Sequence, residues 1–275
     1  MKKSINQWSF PAGMSLREIM ELAKRTGYDC FEPAFDETGE LCLNSTDQEI
    51  IAIRDMARDI GLPLCSLASG LYWRYSPTDN DPAVRARSLE IIRRQLEAAK
   101  LLEVDTILVV PGSVKGGDDP VDYDVAYDRA LEAMEKAKDD ARDIGVSIGV
   151  ENVWNNFLLS PLEMRDFIDK VNSPWVGAYL DVGNLIKFGF PEMWVKILGS
   201  RIKKVHVKDF KRDVGNFGGF VDLLSGDVDF PKVVKALEQA GYDGPLTAEM
   251  SAEGCFPEDI VRRTYGALTR ILSTK

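Results

Sequence analysis

The chain holds one histidine and four cysteines in 275 residues, so a metal site that needs several histidines is excluded. The cysteines, Cys30, Cys42, Cys65 and Cys255, show no C-x-x-C spacing and fall far below the density of a disulfide scaffold. They read as free thiols, mostly with packing roles, in a protein of the reducing cytoplasm. Long apolar runs are missing as well: stretches such as Ile107 to Pro111 are strand-sized, well short of the roughly 20 residues that cross a bilayer. Met1-Lys2-Lys3-Ser4-Ile5-Asn6-Gln7-Trp8 has two lysines but no apolar segment of leader length behind them, so neither export nor membrane association is expected. Positive charge is in deficit. With 34 basic and 44 acidic side chains the net charge is −10, which repels phosphate backbones and anionic lipid and excludes nucleic acid from the expected partners. No Ser/Gly tract or block of like charge marks a linker, and no G-x-G-x-x-G follows the first apolar run.

Short apolar or β-branched runs alternate with longer amphipathic ones from end to end, the pattern of parallel strands joined by crossover helices. Strands are expected at Ser4 to Trp8, Cys30 to Pro33, Leu64 to Ala68, Asp105 to Val110, Ser147 to Glu151, Val176 to Asp181, Lys203 to Val207 and Pro245 to Glu249. Helices are expected at Leu16 to Thr26, Thr46 to Ile60, Pro82 to Leu102 and Tyr123 to Ile144, from Ser160 onward, and near Glu192 to Leu198, Phe230 to Ala240 and Pro257 to Ser273. Ser15 and Gly27 read as caps of the first helix, and Ser160-Pro161-Leu162-Glu163 has the form of a capping box. Eight βα units without an internal break predict an α/β protein, a single (β/α)8 TIM barrel over residues 1–275 rather than an open doubly wound sheet.

In such a barrel the active site lies where the strands end and the βα loops converge. Five strand ends carry a residue able to ligate a cation or move a proton: Glu32, Glu151, Asp181, His206 and Glu249. Each of the last four follows or closes a run of core-type residues, where charge is costly unless matched. One imidazole with three carboxylates on neighbouring strands makes a mixed N/O site for a divalent cation: Mn²⁺ first, with Co²⁺, Mg²⁺ or Zn²⁺ also suited by ligand type. Glu32 then falls to a substrate or supporting contact. Asp209 could hold the imidazole or a substrate hydroxyl, or cap a loop. Trp8, Trp73 and Trp154, with Phe157, could wall a sugar site or belong to the core.

These residues resemble the xylose isomerase-like sugar phosphate isomerase and epimerase family over nearly the whole chain. The family pattern of Glu after strand five, D-x-G after strand six, H-x-K-D after strand seven and Glu after strand eight falls on Glu151, Asp181-Val182-Gly183, His206-Val207-Lys208-Asp209 and Glu249. Asp181-Val182-Gly183-Asn184-Leu185, Phe31-Glu32 with Asp36-Glu37-Thr38, and Gly226-Asp227-Val228-Asp229-Phe230 look like the branch of L-xylulose-5-phosphate 3-epimerase and the ketose 3-epimerases. The resemblance implies a metal-dependent epimerase of a small ketose or ketose 5-phosphate, working through a cis-enediolate, with Glu151 and Glu249 exchanging acid and base roles. It also implies substrate contacts from Asn184, where many family members have His, and from Lys208 and Arg212. An aldose-ketose or hydroxypyruvate-type isomerase would use the same enediolate, and a polyol dehydratase or a catalytically silent sugar-binding barrel are further alternatives. An abasic-site endonuclease with three zinc ions ranks last, since it needs several histidines. A homo-oligomer is compatible with a chain of this size.

Overall fold

The computed structural model describes residues 1–114, 119–251, 256 and 258–273. Ser15 accepts from the Glu18 N–H while the Glu18 carboxylate accepts from the Ser15 N–H, a complete capping box at the start of α1 (Leu16–Thr26). Gly27, at φ 109°, takes the left-handed turn that ends it. Leu16, Ile19, Met20 and Ala23 share one buried face, the spacing with which a helix covers a sheet. Thr46 and Glu49 repeat the box at α2 (Asp47–Ile60). The box expected at Ser160 forms only half. Ser160 caps the Glu163 N–H of α5 (Pro161–Val171), but the Glu163 carboxylate accepts from the Leu159 N–H and from the Tyr123 hydroxyl. That second bond ties α5 to α4 (Tyr123–Ile144). The remaining helices are α3 (Pro82–Leu102), α6 (Pro191–Leu198), α7 (Phe230–Gln239) and α8 (Glu258–Ser273).

Among the described residues, the parallel strands β1 (Lys2–Asn6), β2 (Cys30–Glu32), β3 (Thr106–Val109), β4 (Ser147–Glu151), β5 (Val176–Asp181), β6 (Ile202–Val207) and β9 (Pro245–Ala248) form one sheet. Its order is β2-β1-β9-β6-β5-β4-β3. The strand expected at Leu64 to Ala68 appears only as single bridges, Phe31 with Leu64, Ala34 with Ala68 and Leu67 with Ile107. Pro33, which has no N–H to donate, ends β2 and interrupts the ladder there. The segment nevertheless closes the ring between β2 and β3, because Cys65 donates to the Phe31 carbonyl and Leu108 donates to that of Leu67. A second difference is a short antiparallel pair, β7 (Asp209–Phe210) with β8 (Phe220–Val221), which the alternation did not announce. Two-residue strands carry no readable period.

Alternate residues of each strand face the ring interior or the helices. Val150, Leu180 and Val205 are fully buried beneath the helices, and each such side chain contributes about 1.5–3 kcal/mol through burial. Their neighbours Glu151, Asp181 and His206 therefore face inward. Asn6 stands opposite Glu32 and Asp181 opposite His206 in the register, so polar residues meet across the ring at its C-terminal end. Among the described residues no helix is long and apolar enough to cross a membrane.

Candidate metal centre and active site

Glu151, Asp181, His206 and Glu249 come together at the ends of β4, β5, β6 and β9, one ligand atom from each lying within 4.8 Å of the others. His206 Nδ1 is 2.9 Å from Glu249 Oε2 and 3.4 Å from Glu151 Oε1. His206 Nδ1, Asp181 Oδ2 and Glu249 Oε2 are buried without a hydrogen-bond partner, a costly state for polar atoms that a bound cation would relieve. Lys208 Nζ lies 2.9 Å from both Asp181 Oδ2 and Glu249 Oε1, at ion-pair distance though outside hydrogen-bond geometry to the Asp181 oxygen. Even with Lys208 and His206 charged, the four carboxylates Glu32, Glu151, Asp181 and Glu249 leave the cluster with excess negative charge. The donor set of one imidazole nitrogen and three carboxylates fits a hard or borderline divalent ion.

Two of the four, Asp181 and His206, are held from behind. The Asn152 side chain accepts from the Asp181 N–H and donates to the Asp181 carbonyl, clamping the end of β5. The Asp181 carboxylate accepts from the Asn184 N–H across the Asp181-Val182-Gly183 turn. Gly183 is required there, because a Cβ would lie 2.8 Å from the Lys208 carbonyl carbon. His206 is held by Glu32, whose Oε1 lies 2.6 Å from Nε2. Glu32 is fully buried and also accepts from Asn6 at 2.6 Å, from Ser66 at 2.5 Å and from the Tyr179 hydroxyl. It is a support for the imidazole and does not line the cavity. With Nε2–H committed to Glu32, a cation that displaces the proton held on Nδ1 between Glu249 and Glu151 would meet the Nδ1 lone pair, so Glu32 fixes the metal-binding tautomer.

The charges are tuned in opposite directions. Burial, with the Glu249 charge adding to it, pushes Glu151 above the usual carboxylate range against the pull of His206. Burial acts the same way on Glu249, but Lys208 and His206 outweigh it and hold that carboxyl below the range. Burial also opposes charge on His206 and Lys208, yet the surrounding carboxylates keep both well above their ordinary values. Glu32 stays ionised despite its burial because His206, Ser66 and Tyr179 stabilise the anion. A pair of carboxyls driven apart in this way is suited to one acid and one base.

A cavity of about 770 Å³ opens above the cluster. Trp8, Trp73, Asn184, Lys208 and Asp209 line it with Glu151 and Glu249. Asp209 is occupied by the loop itself, accepting from the N–H groups of Phe210, Gly226 and Val228, and no hydrogen bond joins it to His206. Arg212 lies elsewhere: its Nη2 donates to the Gly189 carbonyl at 3.2 Å and its guanidinium stacks 4.8 Å from the Phe190 ring centre. Trp154 lines the cavity and donates to the Asn184 carbonyl, whereas Phe157 is buried in the core against Tyr127 and Phe167. Cys30, Cys42 and Cys65 are free thiols, and Cys255 lies outside the described residues. Sequence reasoning missed Tyr179, Ser66 and Asn6 behind His206 and the cavity residues Phe217, Phe220 and Arg263. Of these only Asn6 carried a signal, a polar residue at the end of the first strand.

The family model of the xylose isomerase-like TIM barrel matches residues 20–271, which leaves out the first strand, the start of α1 and the last four residues. The chain belongs to that family. Within it, L-ribulose-5-phosphate 3-epimerase UlaE of Escherichia coli K12 is 27% identical over 256 residues, covering 90% of this chain and 87% of that protein. Two solved structures share the fold over nearly their full lengths. D-psicose 3-epimerase, crystallised with D-fructose, superposes at TM-score 0.83 with 20% identity and full coverage of both chains. L-ribulose 3-epimerase superposes at 0.82 with 19% identity, covering 99% of this chain and 95% of that one.

Replacing Glu32 by Gln keeps the shape of the support and removes its charge. Affinity for Zn²⁺, measured by calorimetry, is expected to fall on the order of 10- to 100-fold. His206 is the sole histidine, so a ¹⁵N-histidine spectrum of the Zn²⁺-loaded protein contains one imidazole, and its proton is expected on Nε2. Unchanged affinity in the variant, or a proton on Nδ1 in the wild type, would contradict the role given to Glu32.

Proposed function

We propose that this protein is a divalent-metal-dependent ketose 3-epimerase of the cytoplasm, with one barrel unit spanning residues 1–275. Glu151, Asp181, His206 through Nδ1, and Glu249 hold the ion, with Mn²⁺ as the first choice and Co²⁺, Mg²⁺ or Zn²⁺ as alternatives. The observation that carries the proposal is the convergence of these four side chains at the barrel mouth with three buried ligand atoms that have no hydrogen-bond partner. The names of the three proteins reported above, 3-epimerases of ketoses or a ketose phosphate, support the reaction. The free thiols support a reducing compartment.

The chemistry follows from the carboxylate pair. In a 2-ketose the C3 hydrogen lies next to the ketone. One glutamate removes that proton, the C3–H electron pair becomes the C2–C3 double bond, and the carbonyl electrons move to O2, giving an enediolate. The other glutamate delivers a proton to the opposite face of C3 and the ketone re-forms, so nothing is oxidised or reduced overall. A bound divalent cation would polarise the ketone and offset the negative charge of the enediolate. Glu151 and Glu249 exchange the roles of base and acid according to which epimer is bound. Lys208 keeps the pocket from becoming uniformly anionic, and Asn184 stands at the wall where a sugar hydroxyl would lie.

The test is product identity. Incubated with Mn²⁺ and L-ribulose or D-fructose, the protein is expected to form L-xylulose or D-psicose, the C3 epimers. Aldoses as the only products would assign it to the isomerases instead.

A further inference from the structure

Resting on the epimerase proposal, we infer that the substrate is an uncharged ketose with a second sugar ring, or an equally large neutral group, on the carbons remote from C3, and not a ketose phosphate. The first observation is the size of the cavity. At about 770 Å³ it falls in the range, roughly 300–1,000 Å³, that encloses drug-sized ligands, and a single five- or six-carbon sugar leaves much of it unfilled.

The second is the nature of its walls. Trp8 and Trp73 stand on one side, at the ends of β1 and of the 64–68 segment, with Trp8 packed against Gly70 at the foot of the turn that carries Trp73. Trp154, after β4, packs at a tilt against Phe217 and Phe220, ring centres 4.9 and 5.2 Å away, and all three line the same cavity. Phe217 is 74% and Trp73 53% exposed, so these rings are available to a ligand rather than consumed by the core. Aromatic surfaces lining a cavity beside a proton-transfer site favour the apolar C–H faces of a sugar ring held above the reacting one.

The third is charge. Among the described residues the cavity is lined by two cations, and both are engaged: Lys208 by Asp181 and Glu249, and Arg263 by Asp222, its Nε 3.0 Å from the carboxylate. Arg212, the residue expected to meet a phosphate, is turned onto Phe190 and the Gly189 carbonyl. Asp209 and Asp222 add further negative charge to the lining. A phosphate dianion would compete with Asp222 for Arg263 and with Asp181 and Glu249 for Lys208 inside an acidic lining, whereas a neutral ring would not.

The test compares two substrates extended at the same oxygen, isomaltulose (6-O-α-D-glucopyranosyl-D-fructose) and D-fructose 6-phosphate, with D-fructose as reference. Exchange of the C3 hydrogen in D₂O by the Mn²⁺-loaded protein is read by mass spectrometry. The kcat/KM for isomaltulose is expected to exceed that for D-fructose 6-phosphate at least tenfold. Trp73→Ala and Phe217→Ala are each expected to lower it about tenfold, and more steeply than for D-fructose. Equal or faster exchange of the phosphate ester would overturn the inference and leave the epimerase proposal standing. If none of the three exchanges, and L-ribulose does not either, the epimerase proposal fails, and saturation-transfer NMR on the Mg²⁺-loaded protein decides the inference by itself. Strong transfer to the glucosyl ring protons sustains it, and transfer to D-fructose 6-phosphate alone refutes it.

Discussion

Glu249→Gln is expected to slow interconversion of C3 epimers by about 10²- to 10⁴-fold, the range that a positioned acid or base supplies. The amide keeps the volume of the carboxylate but has no basic oxygen for the C3 proton. Glu249 is also the most accessible of the four cluster residues, its side chain 18% exposed toward the cavity while Asp181 and His206 are fully buried. Two bases on opposite faces give a sharper expectation than lost activity. With the metal saturating, Glu249→Gln and Glu151→Gln should each retain solvent exchange with one C3 epimer, and not the same one. Wild-type interconversion by either variant would remove that glutamate from the reaction.

Removing His206 should act on metal affinity and on stability together. His206→Ala takes the imidazole away from Glu32, leaving a fully buried carboxylate that keeps Asn6, Ser66 and Tyr179 but loses its charged partner. Breaking a buried pair from one side costs on the order of 3–5 kcal/mol, so a clear drop in Tm is expected beside weakened metal binding. Asp181→Asn separates the two effects. It keeps the shape and the Asn184 N–H contact, removes one ligand charge, and is expected to weaken Mn²⁺ binding at least about 100-fold by calorimetry with a much smaller change in Tm. Unchanged Mn²⁺ affinity in Asp181→Asn would sink the metal centre as assigned.

The sheet and its helices were legible because each signal was local and repeated. Ser15 and Gly27 bound the first helix in sequence as they do in space, and Val176 to Asp181 and Ser147 to Glu151 are strands at the expected residues. The 64–68 segment was read as a regular strand because its composition suits one. Its pairing depends on Pro33 and on the pull of Glu32 and Tyr179 on Ser66, contacts over 34 and 113 positions that no window of sequence contains. The cluster was legible for the opposite reason: an acid or the lone histidine directly after core residues is expensive, and four such positions on one ring edge must meet. What stands behind and above them was not. Glu32 could be placed at the edge but not assigned to His206 rather than to a substrate, since both lie in the same direction along the strand. Arg212 has the right position in the chain for a phosphate contact and the wrong direction in space, because the loop's own Asp227 fixes its backbone and Phe190 takes its guanidinium.

The most direct measurement is deuterium incorporation from D₂O into a panel of free and 5- or 6-phosphorylated ketoses, made after removal of metal with a chelator and again after Mn²⁺ is restored. Label confined to C3, accompanied by the C3 epimer and appearing only once Mn²⁺ is returned, is the expected result. Exchange that persists undiminished without metal, or label at C1 with an aldose as product, would contradict a metal-dependent 3-epimerase built on Glu151, Asp181, His206 and Glu249.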